Sequence, residues 1–436
     1  MNWNKDYISK TRSLQEALNL IESGDVILTQ NGVAMPCALI EGLYDIRDRV
    51  NDVEINLGVT KRNFRIFNKE CNGKINVRTN FLYPGERAAI SDGSKMQILL
   101  IDLHDTFEDK RDNMRANVAF AGVSGPDENG YFSMGLHGGD IPALKDSFEK
   151  IIVQVNNNSP FVYGEGNLLH VSDVTAIVEY SEPLQQLPVS ESNPLDEKIA
   201  SYIVDRIPDG ATLQFGVGGP GMAIGRNLKH KKDLGIHTEM FCDTMVDLLK
   251  CGAANNSKKK ILPGISVFGF CQGEQATYDY INKNKLFECR SFSWVNDPFI
   301  IGQNDNVISI NSAIAVDLTG QVCAESIGLK QYSGTGGHCD FVRGARISRG
   351  GQSFIAFYST FKDKSGSVRS KIDLTLPLGS AVTTRRNDVH CIVTEYGIAD
   401  LRYSSIEERA KKMINIAHPD FRDELTYKAK KFGLIY

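Results

Sequence analysis

The chain has 436 residues, 42% of them hydrophobic and 23% charged, with a formal net charge of −4. This length exceeds the usual limit of one hydrophobic core, so two domains are expected. The weak negative charge gives no basis for bulk attraction to nucleic acid or an anionic membrane surface, and no apolar run reaches the ~20 residues of a spanning helix.

Nine cysteines, with no CxxC pair and no regular spacing, suit a reducing compartment. The polar opening "MNWNKDYISKTRS" lacks the apolar core of a signal peptide, so a cytoplasmic location is expected. None of the eight histidines falls in HxH or HExxH spacing. His104 and Asp105 in "DLHD" read as a polar turn before they read as metal ligands.

Apolar strand-like runs alternate with helical patterns throughout, which predicts an α/β architecture. "SLQEALNLIES" reads as a helix with a Ser13/Glu16 capping box and Gly24 beyond its end. "DVILTQ" reads as a buried strand, and further strands are expected at "MQILLIDLH", "VAFAGVS", "IIVQVN" and "AIVEY". Pro126, Asp127, Asn129 and Gly130 mark a turn. The polar, proline-bearing stretch Ser181–Asn193 is the expected boundary between domains 1–185 and 186–436. Asn193 then caps a helix with Pro194 in its first turn and Asp196 and Glu197 at its positive end.

The second half repeats the rhythm. "ATLQFGV" reads as a strand, a glycine loop follows, and "MAIGRNL" reads as a short helix. Later strands are expected at "ISVFGF", "VISINSAIAVDL", "SFIAFYS" and "HCIVTEY". The last helix is read over "IEERAKKMINIA", with Ser404 and Glu407 as its capping box and His418-Pro419 as its end. A divergent duplication of two α/β halves fits this order.

Three stretches could carry chemistry. Gly216, Gly218 and Gly221 satisfy G-x-G-x-x-G between a strand and a helix. Such a loop either presents N–H groups to an anion, as in a nicotinamide dinucleotide site, or simply lets the chain turn close to a neighbour. Pro220 removes one donor, which weakens the anion reading. Gly334, Gly336 and Gly337 make a second bend whose amides suit an oxyanion hole or a plain turn.

Glu239 is the third. In "LGIHTEMF" it shares a strand face with His237 and Phe241, at the carboxyl end, just before a helix expected from Asp243 to before Gly252. Its local pattern leaves a ribose ligand, a reacting group and a surface acid open. Lys258–Lys260 form a basic run that would meet a phosphate or stay solvated.

Taken together, "GIHTEMF", "VNDPFIIGQNDN", "INSAIAVDLTGQV", "QYSGTGG", "AVTTRRNDVH" and "IAHPDFRDEL" resemble the acetyl-CoA hydrolase/transferase family nearly end to end. The likeness is to its CoA-transferases for 4-hydroxybutyryl-CoA and butyryl-CoA with acetate. The resemblance implies two open α/β domains of the NagB/RpiA/CoA-transferase type. It implies acyl-CoA:carboxylate CoA transfer, with acetyl-CoA hydrolysis on the same glutamate as the alternative and a nicotinamide-dependent oxidoreductase as a weaker one.

By the same resemblance the catalytic glutamate falls on Glu239. CoA contacts fall on Gly216, Val217, Gly218, Gly219, Pro220, Ile314 and Gly337, and the oxyanion donors on Gly336 and Gly337. It implies coenzyme A as a substrate, no resident cofactor or metal, small carboxylates as partners, and a homodimer or higher oligomer.

The chain departs from the family at Gly221, at Cys242 and Thr244, at His338 and at Phe357-Tyr358, where smaller residues are common. These positions cluster around the expected acyl pocket and bear on substrate choice more than on the reaction.

Overall fold

The computed structural model of the chain describes residues 3–60, 62–187, 192–216 and 218–436. They form a mixed α/β fold with parallel sheets and helices, in two compact units. One comprises Met1–Pro188, Glu239–Phe241 and Ile265–Val295; the other comprises Val189–Thr238, Cys242–Gly264 and Asn296–Tyr436.

In the first unit the strands are β1 (Val26–Thr29), β2 (Val53–Leu57), β3 (Ile75–Thr79), β4 (Gln97–Ile98), β5 (Val118–Val123), β6 (Lys150–Val155) and β7 (Ala176–Glu179). Their order across the sheet is β4-β3-β2-β1-β5-β6-β7, and each neighbouring pair is parallel. Both faces are covered. In β5, Val118 and Phe120 enter one core with Leu39 and Ile55, whereas Ala119, Ala121 and Val123 enter another with Val153 and Leu169. Burial on both faces explains why this strand reads as an unbroken apolar run. A parallel pair, Ser266–Cys271 and Phe287–Cys289, belongs to the same unit.

In the second unit the strands are β8 (Thr212–Phe215), β9 (Gly235–Phe241, of which the first four residues lie here), β10 (Val307–Asn311), β11 (Gln352–Ala356), β12 (Cys391–Thr394) and β13 (Gly397–Asp400). The order is β9-β8-β10-β11-β12-β13, parallel except for the β12–β13 pair. Each unit thus has its first strand inside the sheet, with the chain reversing direction across the sheet on either side of it. In open α/β sheets that reversal opens a crevice at the carboxyl ends of the strands.

Local signals account for most of these elements. The Ser13/Glu16 capping box forms. Asn193 accepts the Leu195 and Asp196 N–H groups, and Pro194 opens the helix Pro194–Val204. Asp127 accepts the Asn129 and Tyr131 N–H groups in the expected turn.

Four expectations need correction. "MQILLIDLH" keeps only β4 as strand, because its chain turns into a helical bend at Leu103–Asp105. "VISINSAIAVDL" breaks into β10 and a separate strand, Ala315–Asp317, in another sheet. The helix Ile406–Ile416 is capped by Ser405 and Glu408, not by Ser404 and Glu407, because the Ser404 hydroxyl is taken by Lys412 Nζ at 2.7 Å. Nor is it the last helix: Pro419 opens another, Pro419–Lys431, since a proline ring suits a first helical turn.

Candidate active site

Strand β9 carries Glu239. Its first four residues are buried, and Glu239 and Met240 are only half-buried before Phe241 is buried again. The helix expected after it spans Asp243–Lys250. Glu239 groups with the first unit. There its backbone is closely approached by Gly269, where a side-chain carbon would stand 3.1 Å from the Glu239 carbonyl oxygen and 2.7 Å from the Phe292 ring. Met240 packs against Leu103, Phe270 and Phe292, and the Gln272 N–H donates to the Phe241 carbonyl at 3.0 Å.

Two residues that sequence reasoning did not single out belong to this neighbourhood. Burial pushes the Tyr83 phenol above its ordinary range, and the negative charges of Glu239 and Glu86 push it further. Glu86 is 1% exposed and accepts the Tyr83 backbone N–H at 3.0 Å and the Thr60 hydroxyl. Burial raises its carboxyl to about 7, against the pull of those backbone bonds and of Arg87. The signal available in "YPGE" was a helix start, with Pro84 in the first turn and Glu86 folding back on Tyr83.

In the second unit, β8 pairs with β10 so that Phe215 lies beside Ile310. Gly216 therefore leaves the sheet next to Asn311, and Ile314 follows three residues after Asn311 in the chain. The glycines here are required by crowding. A side-chain carbon on Gly221 would meet the Gly216 carbonyl oxygen at 2.1 Å, and one on Gly219 would meet the Asp196 carboxylate at 2.3 Å. Gly218 has φ +123°. Val217 lies outside the described residues.

Asp196 is 1% exposed and is held by Tyr358 Oη at 2.5 Å and the Asn193 N–H at 2.9 Å. A carboxylate thus already stands at the start of the helix Gly219–Asn227, and Pro220 offers no N–H. The loop is built for close packing and is a poor cradle for a bare phosphate.

Gly336 has φ +56°, and Gly337 is the N-cap of the helix His338–Ile347. The preceding turn is anchored by the Tyr332 and Ser333 N–H groups on the Glu325 carbonyl, at 2.8 and 3.0 Å. The Ile314 N–H donates to the Cys323 carbonyl at 2.8 Å.

The family departures have physical partners. Cys242 and Thr244 are buried with Sγ and Oγ1 3.4 Å apart, and Thr244 packs on Gly225. Burial raises the Cys242 thiol to about 11. The basic run does not serve as a phosphate cluster: Lys259 is buried and donates to the Ile236 carbonyl at 3.0 Å, and Lys260 pairs with Asp305 at 2.8 Å. His104 and Asp105 form a 3.2 Å pair in the turn expected of them. A group of His390, Cys391 and Asp400 also converges, but the Arg206 guanidinium contacts Asp400 at 3.1 Å and Cys391 at 3.8 Å, a charge that opposes a cation there.

Comparison with known proteins agrees with the sequence resemblance. The models of the acetyl-CoA hydrolase/transferase N-terminal and C-terminal domains match residues 1–188 and 273–429. The chain belongs to the acetyl-CoA hydrolase/transferase family, and it is an enzyme of the CoA-transferase class.

Among its relatives, the 4-hydroxybutyrate coenzyme A transferase of Clostridium kluyveri is 39% identical, over 99% of this chain and 100% of that one. The succinyl-CoA:cyclohexane-1-carboxylate CoA transferase of Geobacter metallireducens is also 39% identical, over 100% and 98%. The crystal structure of RipA from Yersinia pestis superimposes with a TM-score of 0.93 at 38% identity, covering 100% of both chains.

Proposed function

We propose that the protein moves CoA between a short-chain acyl-CoA (4-hydroxybutyryl, butyryl or similar) and acetate, with Glu239 as nucleophile. The observation that carries this reading is a half-buried glutamate near the carboxyl end of a largely buried strand, in a chain whose relatives are CoA-transferases. It is strengthened by the close packing of Gly269 under that glutamate's own backbone.

The chemistry follows from the nucleophile. The Glu239 carboxylate attacks the thioester carbonyl, the C–S bond breaks, and an acyl-glutamyl anhydride and CoA thiolate result. The thiolate attacks the glutamyl carbonyl, which releases the first carboxylate and leaves a glutamyl-CoA thioester. Acetate then attacks that thioester and the two steps run in reverse. One thioester enters and one leaves, so no outside energy source is needed, provided water is excluded.

Each addition places negative charge on a carbonyl oxygen, for which the backbone N–H groups of Gly336 and Gly337 are the proposed donors. Gly216, Val217, Gly218, Gly219, Pro220, Ile314 and Gly337 are the proposed CoA contacts. We further propose a cytoplasmic homodimer or higher oligomer, measurable by light scattering.

The test is trapping. After incubation with butyryl-CoA, borohydride reduces a glutamyl thioester to an alcohol that peptide mapping locates. Reduction at Glu239 is expected; reduction elsewhere, or full activity in Glu239→Ala, rejects the assignment. Release of free CoA at the same rate with and without acetate would make the enzyme a hydrolase instead.

A further inference from the structure

Lys371 lies between two short strands, Val368–Ser370 and Ile372–Asp373, in the second unit. Its backbone is fixed on both sides: its N–H donates to the Ser359 carbonyl at 2.8 Å and its carbonyl accepts the Val316 N–H at 2.9 Å. The side chain is half-buried, and Nζ stands 6.0 Å from the centre of the Phe357 ring. Burial lowers the basicity of this ammonium group, with Glu395 opposing the effect.

Among the described residues, no carboxylate lies within ion-pair distance of Lys371. Glu395, the acid that acts on it, is already engaged by the Ser359 N–H at 2.9 Å and the Ser359 hydroxyl at 2.6 Å. A half-buried ammonium group with no carboxylate in contact gains from a ligand that pairs with it directly.

Lys371 also lines a cavity of about 790 Å³. Ile314, Ile327, Leu376 and Phe361 supply apolar and aromatic wall, and Tyr332 a phenol. The other charged wall residues are committed: Arg369 pairs with Asp363 at 2.9 Å and Asp373 with Lys428 at 2.9 Å. Volume and lining fall in the range of a site for one organic ligand. An aromatic and apolar wall with one uncommitted cation matches a purine nucleotide carrying phosphate.

We propose that this cavity receives the nucleotide end of CoA and that Lys371 pairs with one of its phosphates. The inference rests on a CoA thioester being the substrate, and it does not depend on which residue is the nucleophile. Lys371 is a binding residue here and takes no part in bond making.

The experiment compares the full-length protein with Lys371→Met and Lys371→Arg on butyryl-CoA, butyryl-3′-dephospho-CoA and butyryl-pantetheine. Loss of a charge-assisted contact is expected to raise KM for butyryl-CoA by about 10- to 100-fold in Lys371→Met, with recovery in Lys371→Arg. With butyryl-pantetheine, which has no phosphate, parent and Lys371→Met should converge. The dephospho substrate decides which phosphate is read: convergence there names the 3′-phosphate, and persistence of the defect names the pyrophosphate.

A defect of equal size on the pantetheine substrate overturns the proposal, as does an unchanged KM for butyryl-CoA or a rise confined to the KM for acetate. If Lys371→Met folds poorly, Lys371→Gln with the same three substrates decides. A protein that shows this substrate pattern but traps no adduct at Glu239 would uphold this inference and reject the nucleophile.

Discussion

Glu86 accepts the backbone N–H of Tyr83 at 3.0 Å while buried to 1% exposure. Its carboxyl is raised from an ordinary value of 4.5 to about 7. Between those pH values the folded chain keeps a proton that the unfolded chain has lost. The contribution to stability is therefore fully present below pH 4.5 and falls as pH rises towards about 7. Replacing Glu86 by Gln removes the titration and leaves groups for both hydrogen bonds. The variant's melting temperature should gain on the parent's across that window and hold its lead above it. Parallel melting curves from pH 4.5 to 8 would refute the assignment.

Glu239→Ala should lower transferase kcat by about 10³-fold or more, with little change in KM for the acyl-CoA, because the loss falls on bond making. Steady-state assays of butyryl-CoA with acetate test this. A variant affected mainly in KM would place Glu239 in binding instead.

Gly269→Ala introduces a carbon 2.7 Å from the Phe292 ring and 3.1 Å from the Glu239 carbonyl. Overpacking of this kind costs about 1–3 kcal/mol. Both thermal stability and turnover should fall, since relief requires either the ring or the Glu239 backbone to shift. Unaltered turnover in a destabilised protein would show that Phe292 alone yields.

Gly221→Ala meets backbone rather than a movable side chain, at 2.1 Å from the Gly216 carbonyl oxygen. The turn after β8 must open, so a loss of at least about 1–3 kcal/mol is expected. Denaturant unfolding measures it, and a neutral result would mean the loop has room to spare.

Ser405→Ala should cost about 0.5–2 kcal/mol, and Ser404→Ala less, because only Ser405 accepts the Glu408 N–H, at 3.2 Å. Equal losses in paired unfolding curves would return the cap to Ser404.

The two serines show where sequence reasoning runs out. Each has a glutamate three residues on, so the capping pattern fits either register. A lysine from the next turns of the helix breaks the tie, and pattern alone does not report it. The strand that carries Glu239, and the helix starting at Asp243, were legible because both depend on adjacent residues. Tyr83 and Glu86 lie more than 150 positions before Glu239 in the chain and reach its neighbourhood only through the fold. The glycine loop was legible as a turn, but the carboxylate of Asp196 beside Gly219 was not. Its presence changes what the loop can bind.

The central strands have a consequence for how the protein is made. Val26 in β1 is tied to Asn117, 91 residues later, and Gln214 in β8 to Ile310, 96 residues later. A ribosome adding about 5–20 residues per second needs about 5–20 s to supply each missing partner. For that interval the first strand of each unit has one edge without its neighbour. The nascent chain is exposed to mispairing at those two moments, and chaperone occupancy during synthesis should peak there.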